Sequence, residues 1–551
     1  MAETKFDRPA EDAAGSHMSA ATAFQDEVWS RPPAAQGTAN GGRSQWTVAI
    51  NLAANGTFDG DANGASNQWR RLQQLTDESR GSGVNLVVQV AEGESSSKGG
   101  GRPGANTTVT RYVISNGEMR ELGQSQSRGM AGDVEDLLRT ANQVAPAEHV
   151  GFVQQSHGGD IDGVMGSAGR AGLTEFTDAI RNGLQGSGQE RLDLIDFNAC
   201  SMGSAAVMQR MSAIANHMVA SAEEESSDRH GTYDAQNMQS ELTRLMQHPN
   251  WTGAQLSADM ISQADAGAND GVNSATHEVE SGTRTLAHYD LTHVGEFNSA
   301  LDGLGTALAA SVRGNRDNLA AVDRSIEAAP LLPRGGMSTA GRPPEVRDLA
   351  TFAQNLVGEI DAGSFTDSDG SVRRAAQGLL AAQRVAEPEY HGTPEDGYDR
   401  LGGMNAFLPD LEIRDPSRSA GMSNPMDSLM QMVDPQNDYA QAFDHRTTTT
   451  HNISESLDKL TTLFGSAHSN ELRALRDGLT AVQSATEPDS YRGALTILNT
   501  RATELQRGQF GTDANAYALR RTRDEMFNQQ SLSNVPGWQR FMEALRISAE
   551  R

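Results

Sequence analysis

The sequence predicts an α/β sandwich: a mainly parallel central sheet with helices on both faces, extended by a largely helical C-terminal region. Three observations predict it. Apolar, β-branched runs of strand length recur over residues 46–225. Most are separated by stretches with apolar residues at helical spacing. Past residue 230 the strand-like runs give way to long helical patterns. Strands alternating with helices, each pair spaced for a crossover, require parallel strands covered on both faces.

Each element follows from its own residues. Residues 46–54 (WTVAINLAA) read as a buried strand. A helical pattern at 66–79 leads to a second buried strand at 85–93 (NLVVQVAEG). Residues 94–108 carry almost no apolar side chains and read as a loop. TRYVISNG and MRELGQ, within 110–124, form a hairpin about Asn116-Gly117. Residues 133–145 are a helix with Asp133 as its cap. HVGFVQQSHGG (149–159) is a third core strand ending in glycines, followed by a helix at 173–184. LDLIDFNAC (192–200) is a fourth strand, 204–216 a helix, and HMVASAEEE (217–225) begins as a fifth strand. Helices then dominate at 233–266, 290–328, 346–360, 371–386, 452–484, 490–507 and 512–548. GGMNAFLP (402–409) reads as a late strand completing the sheet, and Pro/Gly-rich loops occupy 329–345 and 387–400. Four regions result: an acidic leader over 1–44, an α/β core over 45–232, helices and late strands completing it over 233–410, and a helical region over 411–551. GSHM at 15–18 has the form of a residual cloning sequence, so fold reasoning starts after residue 17.

Composition narrows the function. The chain carries 72 acidic against 45 basic residues, a formal net charge of −27. That field repels nucleic acid and anionic membrane surfaces, which argues against both as partners. There is no apolar run of the roughly 18 residues needed to span a bilayer. Residues 1–45 have no apolar signal region, so the expected location is cytoplasmic. A single cysteine excludes an intrachain disulfide framework and Cys-rich zinc sites. HExxH and GxxxxGK[ST] are both absent.

The cysteine itself, Cys200, ends a predicted strand in a turn of small residues, NACSMGS. A lone buried thiol is usually a small core hydrophobe. A thiol at a strand end in a tight turn is also where a nucleophile is presented. Sites in open parallel sheets lie beyond the carboxyl ends of the strands. Two such ends stand out, Ser156-His157-Gly158-Gly159 and Asn198-Ala199-Cys200-Ser201. A thiol with a reference pKa of about 8.5 is mostly protonated at neutral pH and needs a neighbouring base. His157 differs from the rest of the thirteen histidines in following a strong strand and preceding two glycines. The N–H groups of Gly158 and Cys200 would supply the donor pair that acyl transfer requires. From the residues alone, a catalytic dyad and two unrelated core residues stand level.

HVGFVQQSHGG, LDLIDFNACSMGSAAVMQRM and HMVASAEEE together resemble the clostripain family of cysteine peptidases, in the clan of caspases, metacaspases and gingipains. The opening WTVAINLAANG looks like that family's first strand, and weaker echoes run through 285–304, 346–356 and 390–409. Beyond residue 410 the resemblance ends. It implies a caspase-like fold, Cys200 as nucleophile, His157 as general base, protein or peptide substrates, and no required cofactor. It also places substrate-binding residues after the fifth strand, at Ser221, Glu223 and Glu224. Relatives in bacteria often serve regulated proteolysis, including defence cascades.

One position departs from the family. Aspartate usually stands two residues before the cysteine, where it is associated with a basic P1 side chain; here that residue is Asn198, with Asp196 two residues earlier. Strand side chains repeat every two residues, so Asp196, Asn198 and Cys200 share a face. Asp196 is therefore the first candidate for the pocket carboxylate, and a buried structural carboxylate is its equal alternative. Glu223, Glu224 and Glu225 are second candidates; a solvated acidic turn is their plainer reading. Cleavage after arginine, with lysine weaker, is expected. The family is often processed between the catalytic strands. Residues 160–176 read as an exposed glycine-rich loop with Arg170 before Ala171 as the cleavage site, and Arg102 in reserve. The cut is made by the enzyme itself or by an activating protease.

Two aspartate-rich loops raise calcium as a ligand. Asp59, Asp61, Asn63 and Gly64 match the first half of a calcium loop, but the twelfth position is Arg70, so this is no EF-hand. TDSDGS (366–371) is shorter, and plain Asp/Gly turns are preferred for both. A catalytically silent scaffold binding partners through the helical C-terminal region is the competing reading, and the intact His157/Cys200 pair argues against it. A serine hydrolase fails, since GMSTA (336–340) lies in a Pro/Gly loop without strand context.

Overall fold

The computed structural model describes residues 44–53, 72–92, 107–223, 238–265, 271–272, 279–280, 285–330, 332, 346–392, 398–408, 429, 433, 446–465, 467–508, 532 and 534–549. Strand β1 (Ser44–Leu52) is buried from Trp46 onward, as a strand covered on both faces must be. A helical segment α1 at 72–78 precedes β2 (Val84–Glu92). Strands β3 (Thr108–Ser115) and β4 (Glu118–Gln126) form the expected hairpin. Its Asn116 and Gly117 have φ of 51° and 82°, the left-handed pair that a two-residue turn needs. Helix α2 (Met130–Val144) then leads to β5 (Ala147–Gln155).

Next come three short strands, β6 (His157–Gly158), β7 (Val164–Gly166) and β8 (Gly169–Ala171), which make a small sheet of their own. Helix α3 (Leu173–Leu184) feeds β9 (Leu192–Asn198), and α4 (Ala205–Met211) feeds β10 (Ala215–Ala220). Helices α5 (Met238–Gln247) and α6 (Gly253–Asp265) and the minimal pair β11 (Gly271–Val272) and β12 (Val279–Glu280) precede β13 (Thr285–Asp290). After α7 (Val294–Val312) and α8 (Arg316–Glu327) come β14 (Val346–Asp348), α9 (Leu349–Asp361), α10 (Ser371–Ala386), β15 (Glu389–Gly392) and β16 (Asn405–Phe407). The C-terminal helices are α11 (Arg446–Phe464), α12 (Ser469–Ser484), α13 (Pro488–Arg507) and α14 (Pro536–Ala549).

Nine strands form the central sheet in the order β15-β13-β10-β9-β5-β1-β2-β3-β4. The five middle strands are parallel, and the pairings at each edge are antiparallel. Only β3 and β13 therefore oppose the common direction. One face of the sheet packs against α2, α3, α4, α7, α8, α9, α10 and α14. The other is covered by α1, α5 and α6. Strand alternation splits β9 accordingly, with Ile195 and Phe197 on the first side and Leu194 on the second.

Several expectations change. Asp133 does not cap its helix: α2 starts at Met130, with Gly129 at the cap. The Asp133 carboxylate instead reaches back to the Ser127 hydroxyl at 2.5 Å and the Arg128 N–H at 2.8 Å. The predicted helix at 233–266 is two helices, separated at Pro249, which cannot donate within a helix. Residues 387–400 contain the edge strand β15 rather than only a loop. Conversely, 402–409 does not complete the central sheet. Its strand β16 pairs with β14, and its Asn405 bridges to Ser204. Residues 160–176 are not a loose loop, because β7 and β8 are a paired hairpin. The 411–551 region is not one unit either. Helices α11–α13 share a core of their own, whereas α14 packs into the main core through Trp538, Phe541 and Leu545. Among the described residues, no helix is long and apolar enough to cross a membrane.

Candidate active site

Strands β5 and β9 are neighbours in parallel register, with Gln155 beside Asn198. Two residues further on, His157 and Cys200 leave the sheet at the same edge, on strands about 4.8 Å apart. The last rung between them is the Ser156 N–H donating to the Asn198 carbonyl at 3.3 Å. Beyond it the backbone of each turn departs from ordinary geometry. Among the described residues, three non-glycines have positive φ: Asn116 in the hairpin, Asp160 at 57° and Ser201 at 58°. The latter two flank the candidate base and nucleophile, and strain of this kind gathers at functional sites.

The turns are pressed together. A Cβ on Gly158 would run into the carbonyl oxygen of Cys200, so only glycine permits this approach. The nucleophile's turn is also fastened to the chain that continues β10. The Ser201 N–H donates to the Glu223 carbonyl at 2.7 Å, and the Gly203 N–H to the Ser221 carbonyl at 2.6 Å. Asn405 braces it from a third side. Its backbone N–H donates to the Gly203 carbonyl at 3.3 Å and its side-chain Nδ2 to the Ala222 carbonyl at 2.8 Å. The Tyr289 hydroxyl fixes the segment before Asn405 by donating to the Gly403 carbonyl at 2.6 Å. Sequence reasoning missed Asn405 and Tyr289, since both act from strands whose pairing joins distant parts of the chain.

Cys200 is 7% exposed, and His157 is half-buried. Burial holds the His157 imidazole below its ordinary pKa, because desolvation disfavours the imidazolium. A neutral ring at physiological pH is the form that accepts a proton.

The candidate substrate residues divide. Asp196 lies two rungs below the edge, opposite Val153 of β5 and Val219 of β10. It lines a cavity of about 20 Å³ with Trp46, Val48, Gly151 and, from α5 and α6, Glu241 and Leu256. Neither carboxyl oxygen has a hydrogen-bond partner among the described residues, and desolvation pushes its pKa up to about 8. It is thus buried as a structural carboxylate would be, yet unpartnered and protonated at neutral pH. Asn198, between Asp196 and Cys200, is fully buried, and neither amide atom has a hydrogen-bond partner among the described residues. Ser221 is buried and shares a 2.8 Å hydrogen bond with Thr285. Glu223 is fully buried beside the nucleophile's turn.

Arg170 does not lie in the open loop expected. It lies in β8 opposite Met165, its guanidinium donates to the Asp162 carboxylate at 2.6 Å, and Ala171 after it is fully buried. A protease needs an extended, unpaired segment, which this strand is not. Asp367 of the TDSDGS turn accepts from the N–H groups of Val372 and Arg373, so it starts α10. Among the described residues, no group of three acidic, histidine or cysteine side chains could hold a metal ion. Asp59, Asp61, Asn63, Arg102, Glu224 and Glu225 lie outside the described residues.

The model of the clostripain family matches residues 124–475, well over half of the chain and inclusive of both strand ends. The chain belongs to the clostripain family. It is a C11-type cysteine peptidase with an α/β core. Among solved structures, this clostripain-family chain is similar to the secreted C11 cysteine protease "iotapain" from Bacteroides thetaiotaomicron, at 13% identity and a TM-score of 0.42, over 66% of this chain and 93% of that one. An inactive zymogen C11 protease from Parabacteroides distasonis aligns at 12% identity and a TM-score of 0.43, over 67% and 93%. A secreted Bacteroides thetaiotaomicron C11 protease complexed with an irreversible peptide inhibitor aligns at 14% and 0.41, over 66% and 92%. No curated protein matches the chain.

Proposed function

We propose that this clostripain-family peptidase is an endopeptidase working through a Cys200–His157 dyad and cleaving after basic residues, arginine first. The observation that carries the dyad is the convergence of the two strand ends, with Gly158 packed on the Cys200 carbonyl. Neutral His157 takes the thiol proton, and the thiolate attacks the scissile carbonyl carbon. The oxyanion of the tetrahedral intermediate is received by the Gly158 and Cys200 N–H groups. On collapse His157 returns the proton to the leaving amine. Water then attacks the acyl-enzyme with His157 as base, freeing the acid and restoring the thiol. These steps need no cofactor.

For the P1 side chain, the polar groups of Asn198 and Glu223 are the preferred partners. A buried guanidinium needs an opposing carboxylate, since an unpaired buried charge costs several kcal/mol. Glu223 meets that need better than Asp196, because its backbone already touches the nucleophile's turn, whereas Asp196 sits about 13 Å down the strand from Cys200. Its substrates are proteins or peptides in the cytoplasm, within a bacterial regulatory or defence cascade. Latency is relieved by a cut after Arg170, made by the enzyme or by an activating protease, and this requires the β7–β8 hairpin to open first.

One kinetic series tests the whole reading. Cys200→Ala and His157→Ala are expected each to lower kcat by about 10³-fold or more with the fold retained, because nucleophile and base act as a unit. Matched substrates with arginine, lysine, glutamine and aspartate at P1 should be cleaved in that order of preference, and Glu223→Gln should erase the lead of arginine. An active Cys200→Ala removes the dyad. Arginine no better than glutamine removes the basic pocket and leaves the dyad standing.

A further inference from the structure

A buried side-chain hydrogen bond joins the two catalytic turns. The Ser204 hydroxyl donates to Asp160 Oδ1 at 2.5 Å. Each residue is 1% exposed. Asp160 is the third residue after His157, and Ser204 the fourth after Cys200. Their positions in the chain differ by 44, so nothing local demands the contact.

Both partners are held in unusual ways. Asp160 adopts φ of 57°, a left-handed conformation that aspartate tolerates better than most residues but still at a cost. The turn around it is closed by backbone bonds, Gly159 N–H to the Gly163 carbonyl and Gly163 N–H to the Asp160 carbonyl. Ser204 is the cap of α4, and its oxygen accepts from the Val207 N–H at 3.2 Å. Capping uses only a lone pair of that oxygen. The hydroxyl proton is left over, and it is spent on Asp160. A hydroxyl donating to a carboxylate is a short, charge-assisted bond of the stronger kind.

From this we infer that Asp160 and Ser204 are positioning residues, which fix the turn of His157 against the turn of Cys200. The inference rests on the dyad proposed above. It explains why a buried serine both caps a helix of seven residues and crosses to another loop. It also explains why a left-handed aspartate stands where glycine would relieve the strain. The turns also touch where Gly158 packs on the Cys200 carbonyl. That contact sets a closest approach but not an orientation. Orientation matters because a misplacement of about 1 Å in a reacting pair costs on the order of 10²-fold in rate.

The test uses the full chain and its single cysteine, which makes thiol alkylation a clean report on Cys200. The variants are Asp160→Ala, Asp160→Asn, Ser204→Ala, Ser204→Thr and the double alanine. Asparagine keeps the acceptor and tolerates the left-handed backbone, and threonine keeps the donor. For each alanine variant, kcat is expected to fall about 10- to 100-fold with KM within about twofold. The pH profile of alkylation by iodoacetamide should move toward that of a free thiol near about 8.5, as the base loses its hold on the proton. The asparagine and threonine variants should recover most of the rate, and the double alanine should be no slower than the worse single. Wild-type kcat and alkylation profile in a folded Ser204→Ala overturn the inference. So does a loss that follows unfolding alone and is not recovered by the conservative variants. If Asp160→Ala does not fold, Ser204→Ala, which leaves the aspartate and its backbone in place, decides. Cys200→Ala is run alongside. Inactive Cys200→Ala with unaffected positioning variants overturns this inference only, whereas active Cys200→Ala overturns the dyad and this inference with it.

Discussion

Asp196 shows how far one residue can stand from the role its spacing suggests. It is on the face expected, two positions from Asn198 and four from Cys200, yet α5 and α6 close over it. Period-two alternation fixes the face of a strand residue but not what later covers that face. The covering residues, 238–265, come from a distant part of the chain, so Asp196's surroundings were not legible. Cys200 and His157 were legible, because each follows an uninterrupted strand and small residues. Asp160–Ser204 was not, being a contact between two turns. Burial of Asp196 has a measurable consequence. Its pKa rises from 3.8 to about 8, so the folded chain holds a proton that the unfolded chain releases at neutral pH. Its contribution to stability is complete below the unfolded value and is lost as pH rises toward the folded one. Asp196→Asn, which is neutral at every pH, should therefore raise Tm by a few degrees at neutral pH. The gain should be small near about pH 4 and largest near about pH 8, as calorimetry across that range will show. The same pH dependence in both proteins would mean that Asp196 is ionised and paired in the native state.

At the level of elements, strands rich in valine and isoleucine were legible, and those made of small or polar residues were not. The five middle strands of the sheet all read directly from apolar runs. Strand β15 was missed because Glu389-Tyr390-His391-Gly392 has no apolar run and lies in a Pro/Gly-rich stretch. The β7–β8 hairpin was missed for another reason. Its tip is glycine-rich, as loops are, but it is docked: Ser167 donates its N–H to the Ala53 carbonyl at 2.7 Å, and Gly166 lies so close to Ala53 that a Cβ would clash. Tertiary docking outweighs local propensity here. Because β6 carries His157 and pairs with β7, the state of this hairpin bears on the catalytic base. Cleavage after Arg170 needs β8 to detach, and the Arg170–Asp162 pair opposes that. Asp162→Ala should raise the rate of tryptic cutting between Arg170 and Ala171 several-fold, read by gel and N-terminal sequencing, with the global Tm little changed. Equal cutting rates in wild type and variant would mean that the ion pair does not hold the strand.

At the scale of the molecule, the chain leaves the peptidase core after β16 and comes back to it. Helices α11–α13 bury Ile453, Leu457, Leu475 and Leu498 in one cluster with Leu429 and Val433, and no described residue of the central sheet belongs to it. Helix α14 then returns to the main core. Its Gly537 N–H donates to Asp302 Oδ1 of α7 at 2.6 Å, and Trp538 packs edge-on against Phe352 of α9 and Phe541. The C-terminal region therefore contains two parts with different energetic ties, although its helices look alike in sequence. Helical periodicity reports a buried face but not the partner of that face. Two substitutions separate the parts. Trp538→Ala removes a side chain that is 1% exposed in the peptidase core. Its cost should be about 3–5 kcal/mol, borne by the unfolding transition that carries activity. Leu498→Ala removes a fully buried side chain from the bundle. Its cost of about 2–5 kcal/mol should fall on the bundle alone. Calorimetry with activity measured along the same thermal ramp distinguishes the two. Leu498→Ala should shift or split off a transition that leaves peptide hydrolysis intact, while Trp538→Ala should bring inactivation to lower temperature. If Leu498→Ala lowers the inactivation temperature as much as Trp538→Ala does, bundle and peptidase unfold as one cooperative unit, and separate cores do not mean separate stability.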